Sequence, residues 1–264
     1  MVIGALLAGA CGDSGGGGTT TSLLPATTTS SAVDATTTSA PATTTTAPRV
    51  SIPAADPAAV TRAEKGVITQ ADFGGDWVQF EAAGGILRDL SPTSRIGCAV
   101  APAGSLAPQT LAAVVDGSTL QKGATKRYAT SAALAFANEP AARAAVDAFR
   151  APAWSACRRD GRTRDAQAQP DGAVDPQWRV EPIEDTGRGQ GGFEGVVRLQ
   201  YQAVVDGKLT DANGDETVLF YRVGRTVLLV AYQGLNDPAD PPNLAKALSE
   251  DISAATTKAL ARLA

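Results

Sequence analysis

The chain contains no histidine among its 264 residues. Imidazole titrates near neutral pH, serves as the general base of Ser-His-Asp and Cys-His catalysis, and is a common zinc ligand. The composition therefore excludes these mechanisms and His-ligated metal sites. A Ser-Lys hydrolase is not indicated either, because Ser118 and Lys122 have one residue too many between them for the Ser-X-X-Lys spacing. We expect no catalytic residue, no cofactor and no metal ion.

Basic clusters and long apolar runs are also missing. The formal net charge is −4, and arginines are interspersed with Asp and Glu instead of forming a stripe. The first ten residues are apolar, but a helix needs about twenty to cross a bilayer. The sequence predicts no nucleic-acid partner and no membrane-spanning helix at that segment.

The apolar segment ends at Cys11, which a Gly/Ser tract follows. Leu7-Ala8-Gly9-Ala10-Cys11 resembles the lipobox of bacterial lipoproteins, although that box usually has an aliphatic residue where Ala8 stands. The resemblance implies the remnant of a signal peptide and its lipobox over residues 1–11, with Cys11 lipidated through a diacylglyceryl group carrying acyl chains such as palmitate. It also implies a cell-membrane location on the extracytoplasmic face.

No Lys or Arg precedes Cys11, whereas a secretory signal begins with basic residues. We expect the true start codon to lie upstream. The alternative is an N-terminus that is apolar by coincidence, in which case Cys11 is an ordinary thiol.

Residues 12–57 are dominated by Gly, Ser, Thr, Ala and Pro, with runs such as Thr43-Thr44-Thr45-Thr46. Such a composition offers little apolar surface to offset the entropy lost on ordering, so we predict a disordered linker. Ser and Thr mixed with Pro also resemble O-glycosylated stalks. The segment then acts as a spacer between the membrane and a folded domain over residues 58–264.

The two remaining cysteines, Cys98 and Cys157, are an even pair. In an oxidising compartment a disulfide between them is the default expectation. Two buried thiols or a redox pair are the alternatives, although the chain has no Cys-X-X-Cys motif.

Several patterns in the predicted domain indicate helices. Residues 56–65 and 141–157 have helical spacing, with Asn138 and Pro140 as start signals, and residues 243–263 carry one apolar stripe. Thr69 is expected to cap one turn that ends at Gly74-Gly75. Residues 108–121 are predicted to include a helix, and residues 158–174 to form an exposed loop.

Other segments indicate strands. They are residues 125–137, 178–183, 195–205, 217–223 and 226–233, with a tight turn at Gly224-Arg225 and a long polar loop over residues 206–215. We predict an α+β fold in which an antiparallel sheet has helices packed on one face, in a single disulfide-stabilised domain after the disordered tail.

Residues 68–77, Cys98, the Ala-Trp-Ser-Ala-Cys157 segment, the hairpin at residues 223–227 and the C-terminal amphipathic helix together resemble the PknH-like extracytoplasmic sensor domains of actinobacteria. The resemblance covers roughly residues 66–264 and implies a non-catalytic domain that binds a ligand. In this family, the sensor domain that belongs to a kinase carries two disulfides around a proposed ligand cleft. This chain has cysteines for one.

Trp77, Trp154 and Trp178 are the candidates for lining an apolar ligand cleft, and the alternative is that they fill the core. A carboxylate hydrolase remains the competing class, with six available acids: Glu181, Glu184, Asp185, Glu194, Asp215 and Glu216. Residues 211–215 resemble the start of a calcium loop, but Arg222 occupies the position of its last ligand. Arg188 to Gly192 is glycine-rich without the Lys-Ser/Thr of a phosphate loop.

The sequence as a whole predicts a lipid-anchored cell-surface protein with a sensor-like domain. Its expected partners are the membrane, through the lipid, and a small ligand or an envelope protein. A structural partner of a membrane complex is the third reading, and an exposed apolar patch in place of a pocket would favour it.

Overall fold

A computed structural model describes the backbone of residues 49–100, 106–125, 127–167, 174–182, 192–205, 208–235 and 241–264. Side chains are described for residues 49–100, 106–125, 127–161, 163–164, 216–234 and 241–264. These residues belong to one compact unit. Cys11 and residues 12–48 of the predicted linker lie outside the described residues.

Helices and strands alternate irregularly along the chain. The helices are α1 (Pro57–Gly66), α2 (Gly97–Val100), α3 (Glu139–Arg150), α4 (Pro152–Gln167) and α5 (Leu244–Leu263). The strands are β1 (Val50–Ser51), β2 (Trp77–Glu81), β3 (Gly85–Ile86), β4 (Asp89–Leu90), β5 (Leu111–Asp116), β6 (Thr119–Lys122), β7 (Arg127–Phe136), β8 (Val174–Pro182), β9 (Gly192–Val205), β10 (Lys208–Val223) and β11 (Thr226–Leu235).

One antiparallel sheet dominates the described part of the chain. Its order is β2-β6-β7-β11-β10-β9-β8, and β5 also pairs with β7 and with β3. Strands β5 and β6 therefore lie end to end beside β7, and β3 and β2 lie end to end beside them at the edge. A separate two-stranded ladder joins β1 to β4.

The central strands β7, β10 and β11 are buried on both faces in their described parts. Successive side chains of a strand point to opposite faces, and here both sets are apolar in the central strands. Leu134 and Phe136 of β7 contact residues of α3 in the first core cluster. Ala133 and Ala135, the alternate residues, contact Ala59 and Ala63 of α1 in another cluster. We call the face bearing Leu134 the first face and the opposite one the second face.

Helices cover both faces, which corrects the prediction that they pack on one. Helix α3 contributes Ala142, Ala145, Val146 and Phe149 to the core of the first face. Helix α5 contributes Leu244, Leu248, Ile252, Ala255, Ala259 and Leu260 to the second face, beside α1. The α+β class and the antiparallel sheet are confirmed, but the architecture has three layers, with the sheet in the middle.

The helix start signals act where the sequence indicates. The side chain of Asn138 accepts a hydrogen bond from the N–H of Ala141, and Pro140 occupies the first turn of α3. Asp56 caps α1 in the same way, through the N–H of Ala58. Gly224 has φ +54° in the turn between β10 and β11, a left-handed conformation that glycine adopts without steric cost.

Three segment assignments are wrong. Residues 111–116 and 119–122 are strands, not a helix, because both pair with β7. Residues 158–167 continue helix α4, which begins after a break at Ala151, in place of the predicted loop. Residues 208–215 are the first half of β10 and pair with β9 from Lys208↔Val205 onward. Among the described residues, no helix is both long enough and apolar enough to cross a membrane.

Candidate functional site at the open end of the sheet

Cys98 of α2 and Cys157 of α4 form a disulfide, with their Cα atoms 5.6 Å apart. The prediction of a disulfide is confirmed, and the alternative of two separate thiols is wrong. The bridge joins α2 to α4. Two hydrogen bonds join α4 to the segment just before α2: Trp154 Nε1 donates to the carbonyl of Arg95 at 2.8 Å, and Arg158 Nη1 donates to that of Thr93 at 2.6 Å.

Two arginines from these fastened segments converge on one carboxylate. Arg95 Nε lies 2.5 Å from Glu216 Oε1, and Arg158 Nη2 lies 3.1 Å from both Glu216 oxygens. Arg95 Nη2 also donates to Gln233 Oε1 at 3.2 Å. Glu216 is fully buried, so its charge depends on these guanidinium groups for stabilisation. Arg95, Glu216 and Arg158 are called the charged cluster below.

The register of the sheet explains why Glu216 occurs here. Glu216 shares the first face with Val218 and Phe220, its alternate neighbours on β10, which lie in the core. One cross-strand row then runs over five strands on that face: Val78, Gln121, Tyr128, Gln233 and Glu216, each paired with the next. This cross-strand row marks the line at which the first face changes from an apolar core to polar side chains.

The β2 end of the row is exposed. Val78 is 46% and Phe80 37% exposed, and the Phe80 ring lies edge-on to Tyr128 with centroids 5.1 Å apart. In the described part of the chain, Ile86 is the one other large hydrophobic residue with comparable exposure. Ile86 pairs with Val115, whose side chain packs in the core of the second face, so Ile86 faces the opposite way. We call Val78, Phe80 and Tyr128 the open patch.

Two carboxylates border the open patch. Glu81 accepts a hydrogen bond from Thr119 Oγ1 at 3.2 Å. Asp116 pairs with Gly85 of β3, and within the described part of the chain its carboxylate accepts no hydrogen bond. Burial raises the pKa of Asp116 above 3.8, and the nearby charge of Glu81 adds to that, while Arg95 opposes it. Asp116 is thus a half-buried acid whose ionised form has little stabilisation.

The second face carries its own ionic contacts. Lys122 Nζ lies 2.6 Å from Asp76 Oδ2 and 2.5 Å from Asp251 Oδ2, and Trp77 Nε1 donates to the same Asp251 oxygen at 2.8 Å. Burial lowers the pKa of Lys122, but the hydrogen bonds to Asp251 and Asp76 outweigh it and raise the pKa overall. These contacts join β6 to α5 and have a structural role.

A second ion pair, between Asp72 and Arg262, joins the segment after α1 to α5. Arg262 donates to both oxygens of Asp72, at 2.5 and 2.9 Å, and also to the carbonyls of Lys65 and Val67. Burial raises the pKa of Asp72, but the bonds from Arg262 and Thr69 outweigh it, so the pKa lies below 3.8. Thr69 and Asp72 form the expected capped turn reciprocally.

We expect Arg262→Gln to lower the free energy of unfolding by about 2 kcal/mol at neutral pH, because it leaves a buried carboxylate without its main partner. The wild-type contribution is present above pH 3.8 and is lost as the pH falls through the lower pKa of folded Asp72. Urea denaturation across pH should therefore show the two proteins converging in acid. Lys258→Gln is the control, since Lys258 donates only to the Asp72 carbonyl. A difference between Arg262→Gln and wild type that did not change with pH would contradict this account.

Of the predicted cleft residues, Trp77 and Trp154 do not lie in one cleft. Trp77 is buried in the core of the second face and Trp154 in the core of the first, so the sheet separates them. Trp178 lies in β8, and its side chain is outside the described residues. A ligand contact by any one of them stays a prediction. A gap near Trp77, lined by Phe73, Leu120 and Val230 among others, is too small to hold a water molecule.

The acids considered for hydrolysis are mostly outside the described side chains, Glu216 excepted. Glu216 is committed to two guanidinium groups, which occupy the lone pairs that a catalytic carboxylate would need. In the part of the chain with described side chains, no group of three or more Cys, Asp and Glu residues is arranged to hold a metal ion. Neither the charged cluster nor the open patch was predicted from the sequence. One signal was available: Arg158 follows Cys157 directly and Arg95 stands three positions before Cys98.

No protein-family model matches the chain. No curated protein matches it significantly either. Among solved structures, the chain is similar to the crystal structure of the extracellular domain of PknH from Mycobacterium tuberculosis, with a TM-score of 0.38 and 11% identity. The alignment covers 80% of this chain and 98% of the PknH domain. A TM-score this low supports no conclusion about function.

Proposed function

We propose that the chain is a lipid-anchored protein of the extracytoplasmic face whose α+β domain binds a ligand or an envelope partner without catalysis. The observation that carries the proposal is the Cys98–Cys157 disulfide, because such bonds persist in oxidising compartments and are rare in the cytosol. The Cys11 sequence context supplies the anchor, and the Thr/Pro-rich segment supplies the spacer.

The geometry also favours a binding surface at the open end of the first face. A rigid sheet carries the cross-strand row, and the disulfide holds the two arginines of the charged cluster over one end of it. Exposed aromatic and aliphatic side chains next to such fixed polar groups are common in recognition sites. The exposed patch equally suits a structural partner of a membrane complex, which is the second candidate function.

Lipidation can be tested in cells that express the gene with its upstream region and are fed an alkyne-bearing palmitate analogue. We expect the wild-type protein to take up the label and to sediment with membranes, and the Cys11→Ala protein to do neither. Thiol counting on the denatured wild-type protein should find Cys98 and Cys157 oxidised. An unlabelled wild-type protein with free thiols at both positions would refute the proposed location and anchor.

Binding can be tested on the same protein solubilised from membranes, by mass spectrometry of small molecules that copurify with it. A ligand that is retained by the wild-type protein and lost from a Phe80→Ser variant would support recognition at the open patch. Turnover of that ligand, with a product released, would replace the non-catalytic proposal with the hydrolase.

A further inference from the structure

Positive and negative side chains are unevenly distributed around the open patch. The patch lies on β2 and β7, beside β6, and the basic residues of these three strands are Lys122 and Arg127, while Lys126 between β6 and β7 lies outside the described residues. Both occupy positions that alternate away from Gln121 and Tyr128, so both belong to the second face. Lys122 is also engaged by Asp76 and Asp251 there.

Within the described side chains, the first face presents two acidic groups near the patch. Glu81 pairs with Thr119, and Thr119 alternates with Gln121, so Glu81 shares the first face with the patch. Asp116 lies on the same face next to the core residue Val114, its alternate neighbour. Arg95, whose charge acts on Asp116, is itself bound to Glu216 and Gln233. The patch therefore joins two exposed hydrophobic side chains and an aromatic ring to a negative border.

We propose that the open patch binds an extended, cationic and apolar segment of an envelope partner, with its apolar side chains on Val78, Phe80 and Tyr128 and its basic side chains towards Glu81 and Asp116. The inference rests on the proposed binding function and specifies the chemistry of the partner. Apolar contact and attraction between cations and aromatic faces hold such a segment, and the border charges select against acidic ones. The edge position of β2 gives the segment room to approach.

The experiment uses the full chain and two fluorescent peptides, one alternating lysine with valine and one alternating glutamate with valine. Fluorescence anisotropy measures affinity at several salt concentrations. We expect the lysine peptide to bind and the glutamate peptide to fail. The double variant Val78→Ser/Phe80→Ser and the double variant Glu81→Gln/Asp116→Asn should each weaken binding about tenfold, the effect of removing a few strong contacts. Added salt should weaken wild-type binding more than binding to the second variant.

Matched controls separate the patch from general stickiness and general charge. Ile86→Ser removes a side chain that is 40% exposed on the opposite face. Glu250→Gln removes an exposed acid on α5. Both should leave affinity unchanged, and thermal melts should show that all variants fold, since the mutated apolar side chains are exposed.

Equal binding by all variants, or no binding of the lysine peptide, would overturn the proposal. Concentration-dependent self-association that Val78→Ser/Phe80→Ser abolishes would overturn it too, since the occupant would then be a second copy of the chain. The labelling experiment on Cys11 is independent of these results. A lipidated protein whose copurifying ligand is insensitive to the patch variants would preserve the proposed function while removing this inference.

Discussion

Replacing both Cys98 and Cys157 with serine is expected to lower the free energy of unfolding by about 4 kcal/mol, because the bridge closes a loop of 59 residues. For a domain of this size the corresponding fall in Tm is roughly 10 °C. The loss is a large share of the stability of an ordinary domain, so the unfolded fraction should rise steeply near physiological temperature.

Urea denaturation of the full chain measures this effect, with Cys11→Ser introduced into both proteins so that no free thiol can exchange. Cys11→Ser alone is the control and should leave stability unchanged. Reduction of the bridged protein with a thiol reagent should reproduce the loss. An unchanged unfolding midpoint after the double substitution would show that the bridge contributes nothing to stability.

The stability lost with the bridge should not be spread evenly over the domain. The bridge joins α2 to α4, which cover the first face, whereas α1 and α5 pack on the second. Amide exchange in the bridge-free protein should therefore rise most in α4 and the segment before α2. Uniform exchange would indicate that the domain unfolds as one unit without local opening.

Much of the fold follows from local sequence. Asn138 and Pro140 mark the start of α3 because their side chains satisfy or remove N–H groups that lack helical partners. Gly224 marks the hairpin because the turn needs a positive φ. The apolar stripe of α5 predicts its buried face, and the cysteine count predicts the bridge.

Two of the errors, at residues 111–122 and 208–215, share one physical cause, which is backbone pairing with another strand. Residues 208–215 are polar and rich in turn-forming types, yet their backbone hydrogen bonds are made by β9, so the segment is extended. Residues 111–116 suit a helix or a strand locally, and β7 decides between them. Five consecutive buried apolar residues over 227–231 did indicate a strand covered on both faces, and that signal was missed.

The charged cluster could not be predicted from local patterns. Its members are separated by 121 positions between Arg95 and Glu216 and by 58 between Arg158 and Glu216. No helix or strand period relates such distances. The assumed disulfide would have placed the two arginines near each other, but the position of Glu216 depends on the register of β10.

Glu216→Gln is expected to destabilise the domain by about 3 kcal/mol, as removal of one partner from a buried ion pair usually does. The amide keeps the shape of the side chain but has no charge, and its NH2 group confronts a guanidinium that also donates. Urea denaturation measures the loss. Glu250→Gln, the same change at an exposed helix position, should cost almost nothing and controls for the loss of one acid.

A triple replacement tests whether the penalty comes from stranded charge. Arg95→Met, Glu216→Leu and Arg158→Met together remove the charges and supply apolar side chains beside the core. Buried ion clusters replaced in this way often lose little stability or gain some. We expect the triple variant to be more stable than Glu216→Gln alone. A triple variant that is less stable would show that the cluster itself, and not its incomplete removal, determines the stability of this end of the sheet.

The bridge and the charged cluster should also be energetically coupled, because both fasten the same two segments to each other. Without the bridge, α4 and the segment before α2 can separate, so that water can hydrate Arg95 and Arg158. Neutralising Glu216 then removes less stabilisation from these two arginines. Glu216→Gln should therefore lower the free energy of unfolding less in the bridge-free protein than in the bridged one. The difference between the two effects, which is the coupling energy of the double-mutant cycle, should be about 1 kcal/mol. Strict additivity would mean that the arginines stay in place without the bridge. The charged cluster would then be positioned by the sheet and α4 alone, and the disulfide would stabilise the domain only through its unfolded state.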